Sequence, residues 1–114
     1  MRRRRVLLAG LLLLISSAAL AHTHLISSAP AAGSRLAAAP ALLELAFSEA
    51  AQLTILTLTR GSDEPLKLPA PTEAQTHIRV PLPSLAPGNY VVRFRALSAD
   101  GHLMPGQFAF TIAP

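Results

Sequence analysis

The chain has 114 residues, a formal charge of +4, no cysteine and no tryptophan. Four of its 10 Lys and Arg residues are Arg2, Arg3, Arg4 and Arg5, so residues 22–114 hold six bases and six acids and are formally neutral. Bulk charge therefore gives no support for a nucleic-acid or anionic-membrane surface, and the lack of cysteine excludes disulfides, thiolate metal sites and a lipidated amino-terminal cysteine.

Residues 1–21 read as a secretory signal: the four arginines, an apolar run over 6–15, and the small-residue site Ala19-Leu20-Ala21 ahead of His22. Cleavage there is expected to leave one small domain of 93 residues, 22–114, beginning His22-Thr23-His24-Leu25. A chain of that size lacks room for a cleft between domains, which argues against a multi-step enzyme. No later apolar stretch reaches the roughly 18 to 20 residues that cross a bilayer as a helix. At a free amino terminus, His22 offers its α-amine and imidazole Nδ1 to one metal ion. Copper is the first candidate.

The rest of the sequence reads as short strands separated by Pro and Gly turns, without an amphipathic helix. Residues 23–28 form the first predicted strand, stopped by Ala29-Pro30 and Gly33-Ser34. The alanine-rich stretch 35–41 can carry a helical turn that Pro40 limits. In the predicted strand 42–47, Leu43, Leu45 and Phe47 alternate with Glu44 and Ala46, the pattern of a strand buried on one face. Residues 52–59 form a further strand rich in β-branched residues, ended by Arg60-Gly61-Ser62-Asp63. Residues 64–75, with Pro65, Pro69 and Pro71, read as a loop or edge segment before a short strand at 77–80. The longest predicted strand, 90–97, turns Tyr90, Val92, Phe94 and Ala96 inward and Arg93 and Arg95 to solvent. The last, 107–112, buries Phe108, Phe110 and Ile112. Six or seven strands so spaced indicate an all-β, Greek-key sandwich or small barrel.

Between the two last strands lies Asp100-Gly101-His102. Glycine relaxes the backbone between aspartate and histidine, so both side chains can aim at one point. Amine, imidazole and carboxylate suit divalent copper, which heads the divalent affinity order. Alone, the tripeptide is also an ordinary turn.

Four blocks resemble the CopC family of periplasmic copper-resistance and copper-binding proteins (CopC and PcoC). They are His22 with Leu25-Ile26-Ser27-Ser28-Ala29-Pro30-Ala31-Ala32-Gly33-Ser34, then Leu45-Ala46-Phe47-Ser48-Glu49, then Gly88-Asn89-Tyr90 through Asp100-Gly101-His102, and Gly106-Gln107-Phe108-Ala109-Phe110. The resemblance implies a seven-stranded cupredoxin-like or immunoglobulin-like barrel and one Cu(II) per chain. It implies that His22 binds through amine and imidazole, with His102 and Asp100 completing the set and Glu49 beside it. It further implies a monomer in the periplasm that buffers, carries or delivers copper, and a CopD-type inner-membrane transporter as partner.

Two departures from the family pattern stand out. Residues 22–114 hold a single methionine, Met104, so a methionine-rich Cu(I) site like that of some members is not expected. Leu103 stands where the family usually has proline after the histidine, although Gly106 keeps its spacing. His24, two residues from His22, points to the same face if both lie on a strand; it then joins the copper site, neighbours it, or packs against the loop. His77, Arg93 and Arg95 read as exposed strand residues. Two other functional readings stay open on sequence: a copper-dependent oxidative enzyme built on an amino-terminal histidine, which the length and the lack of an aromatic face disfavour, and a metal-free β-sandwich interaction module.

Overall fold

The computed structural model describes residues 23–114. Residues 1–22, which hold the expected signal and His22, lie outside the described residues. Seven strands follow in order: β1 (Leu25–Ala29), β2 (Arg35–Leu36), β3 (Leu42–Arg60), β4 (Leu66–Lys67), β5 (Gln75–Pro81), β6 (Gly88–Ser98) and β7 (Leu103–Ile112). Instead of a helical turn, residues 35–41 give β2, which pairs parallel to the end of β7 through Arg35↔Thr111 and Leu36↔Ile112. Pro40 removes a donor from any helix there, and the chain spends Leu36 on the core edge.

The largest difference from the predicted strands is β3. Residues 42–47 and 52–59 belong to one strand of 19 residues, and residues 48–51, which the predicted strands left out, are its crossing point. Its first half pairs with β1 (Leu25↔Phe47, Ala29↔Glu44) and β5 (Leu43↔Val80, Leu45↔Ile78). Its second half pairs with β6 from Ala51↔Ser98 to Arg60↔Tyr90 and with β4. A register shift between Leu53 and Ile55 inserts an extra residue. Inward positions accordingly change from odd (Leu43, Leu45, Phe47, Ala51, Leu53) to even (Leu56, Leu58), as a β-bulge requires. Without that shift Ile55 and Thr57 would take the core positions. With β1-β3-β6-β7-β2 as its path, the sheet is a single curled sheet rather than two separate ones.

Curling brings the inward faces of both halves onto one core. Leu43, Val80 and Val92 are fully buried within it. Phe47 from the first half meets Phe94 from β6 edge to face, with ring centroids 5.6 Å apart, while Tyr90 and Phe110 stack across the β6–β7 pair at 5.4 Å. Gly106 lies directly opposite Phe94, and a Cβ there would stand 2.3 Å from the Phe94 ring. Only glycine lets that ring lie across the strand. The Tyr90 hydroxyl donates to the Ala86 carbonyl at 2.6 Å, fastening the turn that leads into β6. Tyr90→Phe leaves that carbonyl without its donor and should cost about 1–2 kcal/mol, read as a shift of the urea midpoint; an unchanged midpoint would show that the turn holds itself.

Candidate metal centre

The β6–β7 hairpin closes more tightly than the sequence suggests. β7 starts at Leu103, which pairs with Leu97, so only residues 99–102 lie between the strands. Gly101 takes φ +89° in this turn, a conformation that favours glycine, and its N–H donates to the Ser98 carbonyl at 3.0 Å.

The organiser is Ser98, a buried residue that sequence reasoning did not single out. Its hydroxyl donates to Asp100 Oδ1 and accepts the His102 N–H at 3.3 Å; its own N–H reaches the His102 carbonyl at 2.9 Å. Asp100 Oδ2 in turn sits 3.2 Å from His102 Nδ1. Both side chains remain substantially exposed. A carboxylate facing Nδ1 selects the tautomer that carries its proton there and leaves the lone pair on Nε2. The sequence signal was available as serine two residues before aspartate, a common polar-turn arrangement.

The Ser98 hydroxyl chiefly, with the His102 amide and imidazole, holds the Asp100 carboxyl below its ordinary value of 3.8 against a smaller opposing effect of burial. A carboxyl whose pKa is depressed by folding stabilises the folded form above its unfolded pKa, and that contribution disappears as pH falls through the lower folded value. Ser98→Ala should move the Asp100 titration upward toward 3.8, as followed by NMR of its carboxyl. An unmoved titration would show that the hydroxyl does not control it.

The segment just after His22 meets the same end of the fold. Thr23 is buried and donates its hydroxyl to the Glu49 carbonyl at 2.8 Å. His24 precedes β1 rather than lying on it. It is held by Ser48, with N–H to Oγ at 3.0 Å, Nδ1 to Oγ at 3.2 Å, and Ser48 N–H to the His24 carbonyl at 2.9 Å. Thr23 and His24 line a hollow of about 150 Å³ with Phe47, Phe94, Ala96 and Met104. Ala96 and Met104 face each other one pair behind Leu97 and Leu103, so the hollow opens beside the Asp100–His102 turn. Met104 lies on β7, not in a loop. Glu49 is exposed on β3, two residues from Ala51, the partner of Ser98. Four of the five ligand candidates, His24, Glu49, Asp100 and His102, therefore gather at one end, and His22 lies outside the described residues.

Among the described residues no three His, Asp or Glu side chains converge closely enough to hold a metal. Asp100 and His102 form a pair that needs a further donor. His77 is exposed on β5 opposite Ala46, against the other half of β3.

Comparison with known proteins matches residues 25–113 to the CopC domain family. The chain belongs to the CopC family. This CopC domain is 34% identical over 111 residues to copper resistance protein C of Pseudomonas syringae pv. tomato, covering 88% of this chain and 87% of that protein. It is 33% identical over 105 residues to protein YobA of Escherichia coli K12, covering 87% and 85%. The crystal structure of CopC from Methylosinus trichosporium OB3b superposes with a TM-score of 0.71 at 29% identity, covering 82% of this chain and 95% of that one. CopC-family membership assigns the domain to copper-binding proteins and not to a catalytic class.

Proposed function

We propose that this CopC-family protein is a periplasmic Cu(II) carrier, exported by the 1–21 signal and completed by its removal. The copper is cargo. His22 supplies its amine and imidazole, His102 supplies Nε2, and Asp100 supplies a carboxylate oxygen by turning away from His102 Nδ1, since one carboxylate cannot face Nδ1 and share a metal with Nε2. The observation that carries this reading is the meeting of two segments remote in sequence: Thr23 is anchored to Glu49 on β3, and the Ser98-organised turn pairs with β3 at Ala51.

The chemistry follows from the donor set. Amine, imidazole and carboxylate are the donors of a tetragonal Cu(II) site, whereas Cu(I) prefers thiolates and thioethers. Each donor must be deprotonated, so affinity falls with pH through the range of the histidine and amine groups, about 6.5 and 7.7–8.0 in model compounds. Ser98 and Asp100 hold His102 in its binding tautomer before metal arrives. Glu49 and His24 border the site, and Met104 lies behind it. Delivery to a CopD-type membrane transporter by a monomeric carrier is the role that the family suggests.

The test is a titration of the mature protein against competing chelators for each oxidation state. One equivalent of Cu(II) should bind, weakened far more by His102→Ala or Asp100→Ala than by His77→Ala, with no second equivalent retained as Cu(I). A spectrum unchanged in His102→Ala would remove the turn from the site.

A further inference from the structure

The outer face of β4, β3, β6 and β7 carries a cationic row that neither the fold nor the copper site uses. Residues directly opposite in an antiparallel sheet project to the same side, and here Lys67↔Thr57, Thr57↔Arg93 and Arg93↔Gln107 run across four strands. The next row is Ile55↔Arg95↔Pro105. Lys67, Arg93 and Arg95 are all exposed. The ion pairs among the described residues are Arg60–Asp63, Arg79–Glu44 and His102–Asp100, so none neutralises this face. Arg93 bonds instead to the amide oxygen of Gln107 at 3.2 Å. Like charges on neighbouring positions oppose folding.

A shallow hollow of about 440 Å³ runs between Arg93, Arg95, Gln107, Pro105 and Ile55. Ile55 at its side is 42% exposed, and Leu103, two pairs beyond Arg95 and Pro105 and adjoining His102, is 53% exposed. Arg93 and Arg95, two residues apart on one strand, have Cα atoms about 6.6–6.8 Å apart. That is the repeat of side chains on one face of an extended chain.

We propose that this face docks an extended acidic segment of a partner protein, with carboxylates at alternate positions on Arg93 and Arg95 and an apolar side chain two residues further on against Leu103. The occupant follows from charge complementarity and period. A flat anionic lipid surface has no period to match, and a shallow hollow with three cations offers it little. The segment would end beside the Asp100–His102 turn, which gives a copper-accepting partner its address. The surface itself does not depend on the copper reading.

A fluorescent peptide with glutamates at alternate positions and leucine two residues after the second provides the probe, and a same-composition peptide with adjacent glutamates controls for period. Anisotropy at low ionic strength, where exposed charges are least screened, should show the alternating peptide binding about tenfold more weakly to Arg93→Gln/Arg95→Gln than to the unsubstituted protein. Arg79→Gln, on β5, should bind as the unsubstituted protein does, and the adjacent-glutamate peptide should bind more weakly than the alternating one to both of these proteins. Copper uptake by the double variant should be unchanged, which shows an intact fold and separates this result from failure of the metal site. Equal binding by the double variant, equal binding of both peptides, or no binding except to phosphatidylglycerol vesicles would each overturn the proposal.

Discussion

One residue added before His22 should abolish tight Cu(II) binding while leaving the fold intact. The addition turns the α-amine into an amide nitrogen, which has no lone pair to give without losing its proton, and it breaks the chelate that amine and imidazole close on one ion. Loss of a supporting group outside the ligand set commonly costs 10- to 100-fold in metal affinity, so loss of a chelating donor should cost about 100-fold or more. The fold should persist because, among the described residues, the first buried side chain is Thr23, held by the Glu49 carbonyl, and the core residues lie after it. Chelator competition on the extended and mature forms, with circular dichroism of each, is the measurement. Equal affinity would remove the amine from the site and leave Asp100 and His102 to bind with some other donor.

Phe47→Ala should be the most damaging core substitution for fold and site together. Phe47 is buried, meets Phe94 edge to face at 5.6 Å, and lines the hollow that Thr23 and His24 share with Met104. Truncating a buried phenylalanine to alanine costs about 3–5 kcal/mol, a large part of the roughly 5–15 kcal/mol that keeps a domain folded. Phe94 would lose its ring partner while Gly106 beneath it offers no side chain to fill the space. Denaturant unfolding should show the loss, and Cu(II) affinity should fall as the floor under His24 loosens. Phe47→Leu, which keeps most of the volume, should retain much of both; a loss below about 1 kcal/mol in Phe47→Ala would mean that the two halves do not depend on this contact.

Alternation made most of the core legible in the sequence. Leu43, Leu45, Phe47, Tyr90, Val92, Phe94, Ala96, Phe108, Phe110 and Ile112 are buried where period-two patterning puts them. The continuity of β3 was hidden because Ser48 and Glu49 are polar, and for Ser48 the reason is tertiary: its hydroxyl receives the incoming amino-terminal segment through His24, while Thr23 bonds only to the main-chain carbonyl of Glu49. A propensity argument has no access to a partner more than twenty residues away. β2 was hidden because its pairing to β7 is parallel and two residues long, too short for any period to register. At the candidate site, Asp100 and His102 were visible as residue types in a glycine turn. The grip of Ser98 on both required knowing that β7 starts at Leu103 and closes the hairpin over four residues, whereas Pro105 and Gly106 had suggested a later start.

Sharing β3 between both halves has a consequence for how the molecule can breathe. Its first half cannot separate from β1 and β5, nor its second from β6, without disturbing a strand to which the other half is bonded. Opening is therefore cooperative, and exchange of the central β3 amides with solvent should track global unfolding. A clamshell movement, the usual way for a binding protein to swallow and release its load, has no hinge to use along this strand. If copper binds as proposed, its traffic must pass through the hairpin tip and the segment leading into β1, with the curled sheet behind them unmoved.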